Sequence, residues 1–350
     1  MLLKKFFINT LLFVFISSSY AYSKETVLRI YSWTDYIDIS ILKNFVAKTG
    51  IKIEYDMYTS NEEMYENIKK KNYDIVFPST DYVSKLKKDD LIQEISKTQL
   101  YNLKNIDPEL LNDQLYSIPY FWGTTGIVYD EEALGFKVSK WSDLWDVRLK
   151  NKLAISEDMK DMFAIALKKL GYSANSQNES EIKEAYLELL KLIPNVKTIG
   201  SNVKVIGSAD LENDFINKHI LASISYNGDI VEFIDSNKDL KYIYPQEGVL
   251  KWMDNIVVLK NTQNEKLVYD FLNFILSPQI AKTNAQTIGF ATPNLKAKML
   301  LKTNTLNNQV IYPNLKDLEN SEFQKNIDDS YLIYKKYWGF FLSQINKDSK

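Results

Sequence analysis

Trp252 and Asp254 stand two residues apart in an extended-looking apolar run that continues to Leu259. In an extended chain, side chains i and i+2 project to the same side, so an indole face and a carboxylate share one wall. That pair suits a ligand that is both cationic and greasy. The same two residue classes recur where other strands end. Trp33-Thr34-Asp35-Tyr36 follows the first, Pro78-Ser79-Thr80-Asp81 the third, Ser156 to Asp161 a later one, and Tyr226-Asn227-Gly228-Asp229 the next. Each has an ordinary explanation taken alone. Asp158 and Asp161 in a first helical turn suit the helix dipole, Asp81 suits a turn, Asp229 suits a helix start, and Trp33 and Tyr36 suit packing. Ligands of open α/β sheets, however, bind beyond the carboxyl ends of strands, where these places converge. Five or six carboxylates in one cleft repel one another when empty, and a cationic ligand relieves them. Rings at Trp33, Tyr36, Tyr226 and Trp252 would cover methylene groups and attract cations. Several charges separated by aliphatic stretches describe a linear polyamine.

The elements that must position these residues read as alternating strands and helices. Val27 to Tyr31, Ile51 to Tyr58 and Tyr73 to Phe77 are predicted strands. Between them lie a helix carrying Ile41, Leu42, Phe45 and Val46, closed by Gly50, and a helix opened by the capping box Ser60/Glu63. This strand-helix alternation starts a doubly wound parallel sheet. Asp107-Pro108 opens a short helix. Two extended pieces, 116–121 and 124–129, flank Gly123 and make the first crossing between lobes. A second α/β set follows: strands at 152–155, 221–225 and 240–244, and helices at 158–170, 179–192 and 229–234. Trp252 to Leu259 crosses back, Glu265 to Leu276 is an amphipathic helix, and 328–345 is a last helix with Ile333, Tyr337, Phe340 and Phe341 as its apolar side.

Composition narrows the ligand further. At 350 residues the chain is long enough for two domains. Lys4, Lys5, the apolar run Phe6 to Ile16 and small residues up to Ala21 or Ser23 read as a cleaved secretory signal. Without it the chain holds 41 basic and 45 acidic residues, a balance that excludes nucleic acid on electrostatic grounds. With no cysteine, and one histidine, His219, that sits beside Lys218 in a polar stretch, a thiol nucleophile, a Ser-His triad and a zinc site are all disfavoured. Only Arg29 and Arg148 are arginines, and neither falls at a strand end, so the bidentate clamp that anionic ligands usually require is missing.

The residues also resemble a known family, the periplasmic spermidine/putrescine-binding proteins of ABC importers, from about Val27 almost to the C-terminus. The resemblance is carried by Tyr31-Ser32-Trp33-Thr34-Asp35-Tyr36, Ser60-Asn61-Glu62-Glu63-Met64-Tyr65, Ile118-Pro119-Tyr120-Phe121-Trp122-Gly123, Lys169-Leu170-Gly171-Tyr172-Ser173, Trp252-Met253-Asp254 and Ile288 to Leu295. It implies an α/β fold of the two-lobed type II binding-protein kind, each lobe a doubly wound, mostly parallel sheet flanked by helices. After the signal peptide at 1–23, we expect lobe 1 at 24–126 and 255–300 and lobe 2 at 127–254 and 301–350. Position by position, the resemblance implies ligand contacts at Trp33, Thr34, Asp35, Tyr36 and Ser79, an acidic pair at Asp158 and Asp161, and contacts at Trp252, Asp254 and Gln324. The pattern departs at Tyr226, where the family has Trp, at Phe290, where it has Tyr, and at Asp81, where the spermidine type has Tyr. Asp229 matches the putrescine type.

The expected function is a monomeric, non-catalytic, periplasmic polyamine-binding subunit that hands its ligand to a membrane permease and needs no cofactor or metal. Three other readings compete. A ferric-iron carrier would use some of the 23 tyrosines, a glycoside hydrolase would pair Asp158 or Asp161 with Asp254, and a polyamine sensor would share the pocket without transport.

Overall fold

The computed structural model describes residues 27–111, 114–199, 202–203, 211–327 and 329–348; the leader read at 1–23 lies outside them. Strands Val27–Trp33 (β1), Lys52–Tyr58 (β2) and Ile75–Val76 (β3) are parallel, with β1 in the middle. Helices Ile39–Thr49 (α1) and Asn61–Asn67 (α2) make the two crossovers. In α1 the helically spaced Ile41, Leu42 and Phe45 are buried, whereas Val46 is exposed. Asp38 caps its start, accepting from the Ser40 N–H at 2.8 Å, and Gly50 ends it at φ 71°, a region that disfavours a Cβ. At α2, Ser60 Oγ accepts from the Glu63 N–H at 3.1 Å, while the Glu63 carboxylate reaches back one residue further than a capping box requires, to the Thr59 N–H at 3.0 Å. Helix Thr80–Lys88 (α3) begins directly after β3, where the sequence suggested only a turn.

Strand Ile118–Asp130 (β4) runs unbroken through Gly123, correcting the two segments expected there. The second lobe contains Glu131–Leu134 (α4), Leu153–Ala154 (β5), Met159–Lys169 (α5), Glu179–Leu192 (α6), the small hairpin Thr198–Ile199 (β6) and Asn202–Val203 (β7), Leu211–Ile216 (α7), Ala222–Tyr226 (β8), Asn227–Ser236 (α8) and Leu240–Ile243 (β9). Strand Leu250–Val258 (β10) then returns to the first lobe. After it come Glu265–Ile275 (α9), Pro278–Ile288 (α10), Leu295–Met299 (α11), Thr303–Asn307 (α12), Glu322–Phe323 (β11) and Tyr331–Asp348 (α13). Helices α3, α4, α7 and α10 to α12 were not expected, and Phe340 points outward, 51% exposed, while Tyr334, Tyr337, Phe341 and Ile345 form the buried side of α13.

Each lobe is a mixed sheet into which one reversed strand is inserted. In the first the order is β2-β1-β3-β10, with β10 antiparallel to β3. In the second, β5 and β8 are parallel, and β4 lies between β8 and β9, antiparallel to both. The two long strands β4 and β10 pair with each other across the junction, from Leu250↔Thr125 to Ile256↔Ile118. One core gathers Ile30, Phe45, Phe77, Phe121, Val258 and Phe271; another gathers Tyr129, Leu153, Phe163, Leu189, Ile224 and Phe341. Strand β4 thus feeds both cores. Leu301, Leu306 and Tyr312 still pack with the first.

Candidate functional site

Asp254 is the most completely prepared side chain at the junction. It lies on β10 just before a register shift at Asp254/Asn255, and is only 7% exposed. The Tyr36 hydroxyl donates to its Oδ2 at 2.5 Å, and the Ser79 hydroxyl donates to its Oδ1 at 2.6 Å. Ser79 is fixed in turn by Asn61, whose amide donates to Ser79 Oγ at 3.2 Å. Burial pushes the Asp254 carboxyl up to about 6; the Ser79 and Tyr36 hydrogen bonds oppose that rise and the Asp81 carboxylate adds to it. Burial and the Asp254 charge hold the Tyr36 hydroxyl well above its ordinary value, so it stays a donor.

Rings connect this carboxylate to the opposite wall. Tyr36 lies 6.0 Å from Phe290, Phe290 meets Trp252 edge-to-face at 4.8 Å, and Trp252 meets Tyr226 edge-to-face at 5.9 Å. Two glycines make room for the row. A Cβ on Gly123, which is paired with Trp252 across β4 and β10, would lie 2.3 Å from the Trp252 ring, and one on Gly228 would lie 2.1 Å from Phe290. Trp252 is only 7% exposed and joins the first core, so it packs as well as faces the junction. Trp33 ends β1 and leans on Tyr58 at 4.6 Å. Beside it, Thr34 and Asp35 are exposed, and Asp35 takes φ 54°, a left-handed conformation that Asp tolerates better than most residues.

The second wall is built on the start of α5. Asp158 caps the helix, its carboxylate accepting from the Lys160 N–H at 2.7 Å and the Asp161 N–H at 3.0 Å. Asp161, one turn in, is fully buried. Its oxygens accept from Gln324 Nε2 at 3.1 Å, Ser156 Oγ at 3.3 Å and Thr125 Oγ1 at 3.5 Å, and the Tyr226 hydroxyl also bonds to it. Burial first, and then the neighbouring Asp158 charge, push the Asp161 carboxyl up to about 7. Gln324 is placed by its own N–H, which donates to the Lys251 carbonyl at 2.8 Å where β11 joins β10. Asp229, in the first turn of α8, is exposed as a residue, yet burial raises its carboxyl to about 6.

One contact was not legible from the sequence. Lys160, inside the acidic stretch 156–161, forms an ion pair with Asp81 from the other lobe. The expected surplus of negative charge is therefore reduced by one resident cation. Lys160 lacks the spacing signal that marks Asp158 and Asp161, because its partner is 79 residues away in sequence. Thr125 and Ser156, which cradle Asp161, were also missed: they are small polar residues in runs that read simply as strand ends. Arg29 pairs with Glu54, and Arg148 with Asp146, both away from this site. Among the described residues no group of three or more His, Cys, Asp or Glu is placed to hold a metal ion.

Residues 40–310 match the family described as bacterial extracellular solute-binding protein. The spermidine/putrescine-binding periplasmic protein of Salmonella typhimurium is 37% identical over 331 residues, covering 92% of this chain and 93% of that one. The putrescine-binding periplasmic protein SpuD of Pseudomonas aeruginosa is 30% identical, over 82% and 83% of the two chains. Among solved structures, the spermidine/putrescine ABC transporter substrate-binding protein of Streptococcus pneumoniae superposes with a TM-score of 0.77 at 33% identity, covering 91% of this chain and 99% of that one.

Proposed function

Because this chain belongs to the family of bacterial extracellular solute-binding proteins, we propose that it is the periplasmic polyamine-binding subunit of an ABC importer, taking spermidine or putrescine between its lobes. The observation that carries this reading is the row Asp254–Tyr36–Phe290–Trp252–Tyr226–Asp161: a buried carboxylate at each end and rings between them. A polyamine has the complementary order of ammonium, methylenes and ammonium. Each buried carboxylate gains a counter-charge when a cation arrives, and the rings cover the methylene stretch and attract the charged ends. No arginine stands at the site to receive an anion.

In this reading Asp254 and Asp161 bind the cationic ends, and Asp158, Asp229 and Asp81 tune the field. Trp33, Tyr226, Trp252 and Phe290 form the aromatic lining, Tyr36, Ser79 and Gln324 hold the carboxylates, and Thr34 and Asp35 border the entrance. The chain catalyses nothing; it binds, closes about β4 and β10, and docks as a monomer on its permease. Calorimetric titration tests the ligand class. Putrescine or spermidine should bind with micromolar affinity or better, and glutamate, phosphate and maltose should give no heat. Tight binding of an anion with no response to polyamines would overturn the proposal.

A further inference from the structure

The Lys160–Asp81 pair joins the first turn of α5 in one lobe to the first turn of α3 in the other. It is well sequestered, the two side chains being 16% and 5% exposed. An ion pair buried to this degree resists loss of either partner, because the remaining charge would be left without compensation. Chemically, the Lys160 side chain is itself a primary ammonium on an aliphatic stem, with three N–H donors and no acceptor. It is therefore the same kind of group as the end of a polyamine. It also sits within the carboxylate array. Burial alone would lower its basicity, yet Asp81, Asp158 and Glu62 outweigh that and hold it raised. Asp161 feels its charge from one side, and Asp254 feels Asp81 from the other. One oxygen of Asp81 carries Lys160, while its Oδ1 is buried without a partner in the protein.

We propose that Lys160 is a specificity-determining residue: its ammonium, seated on Asp81, fills one cation position of the array, so the cleft favours a diamine over a longer triamine. This rests on the polyamine reading above. A diamine can use Asp254 and Asp161 and leave the resident pair untouched. A triamine brings one more ammonium, and to use Asp81 it must displace a cation already there. Replacing Lys160 with a neutral side chain removes the competitor and gives Asp81 to the ligand.

Putrescine and spermidine affinities, measured by calorimetry for the full chain and its variants, test this. The parent should prefer putrescine. Lys160→Met should move the spermidine-to-putrescine affinity ratio roughly ten-fold or more toward spermidine, a shift well outside the error of Kd measurement. Lys160→Arg, which keeps the cation, should retain the parent ratio. Adding Asp81→Asn to Lys160→Met should abolish the shift, because the freed carboxylate is gone. Should Lys160→Met lose its fold by circular dichroism, Lys160→Gln replaces it, since its amide can still donate to Asp81. A parent that prefers spermidine, or a folded neutral variant whose ratio does not move, overturns the assignment while leaving the polyamine reading intact. A parent that binds neither ligand overturns the polyamine reading itself.

Discussion

Asp254 and Asp161 are both buried carboxylates near strand ends, and burial raises both, but they are held in opposite ways. Asp254 accepts two short hydroxyl hydrogen bonds, and Asp81 is the only carboxylate among the groups that raise it. Asp161 shares one helical turn with Asp158 and accepts longer bonds from Gln324, Ser156 and Thr125. The first is stabilised before any ligand arrives; the second is crowded by like charge and gains most from a cation. Burial is the largest cause for both, and lifts Asp161 to about 7 and Asp254 to about 6. One end of the cleft is arranged for position and the other for charge, and the ring row joins them.

The largest expected effect tests that junction. Trp252→Ala removes a ring that packs against Phe290, Tyr226 and Gly123. It should cost about 3–5 kcal/mol of stability by denaturant titration, and about 1–3 kcal/mol of polyamine binding. Unchanged stability would show that the ring is only a lining and that the two ends are not coupled through it.

The two carboxylates can then be set against each other. Asp254→Asn keeps the shape but loses the counter-charge and an acceptor for Tyr36 or Ser79. Binding of both polyamines should weaken by about 2–5 kcal/mol, roughly 30-fold to several thousand-fold, and the unliganded protein should melt lower. Asp161→Asn should also weaken binding, yet raise the unliganded melting temperature at neutral pH by relieving Asp158. If both variants shift stability in the same direction, the contrast fails.

A pH series gives a smaller effect. The ordinary carboxyl value for Asp161 is 3.8, and its folded value is about 7. Between those values the folded state holds a proton that the unfolded state has released. The contribution of Asp161 to unliganded stability is therefore largest near pH 4 and is lost as pH rises through about 7. A cation favours the ionised form, so polyamine affinity should fall as pH drops below about 7, and binding near pH 6.5 should release protons. Calorimetry in buffers of different ionisation enthalpy measures that release, which should shrink and move to lower pH in Asp161→Asn, where Asp254 alone remains, and persist near pH 6.5 in Asp254→Asn. The smallest effect is expected from Asp229→Asn, because Asp229 is the more exposed residue, whereas Asp254 and Asp161 are buried. It should change the putrescine-to-spermidine ratio only a few-fold at ordinary ionic strength, and an effect as large as that of Asp254→Asn would place the charge-tuned end at α8 instead of α5.

Much of this protein could be read in one dimension, because the responsible interactions are local. Helix periodicity at Ile41, Leu42 and Phe45, the cap at Ser60 and the left-handed Gly50 depend on neighbours within one turn, and they appear where their spacing puts them. Alternation in a strand placed Trp252 and Asp254 on one side, and the absence of cysteine and the scarcity of arginine and histidine excluded whole classes of chemistry. Tertiary structure decided which polar groups share a partner. Asp254 meets Tyr36 across 218 residues and Ser79 across 175, and Asp81 meets Lys160 across 79. No local pattern carries such pairings, since they exist only once β4 and β10 have brought two lobes together. The same closure sets each carboxyl group's ionisation, because desolvation and charge proximity are properties of the assembled cleft and of no single residue.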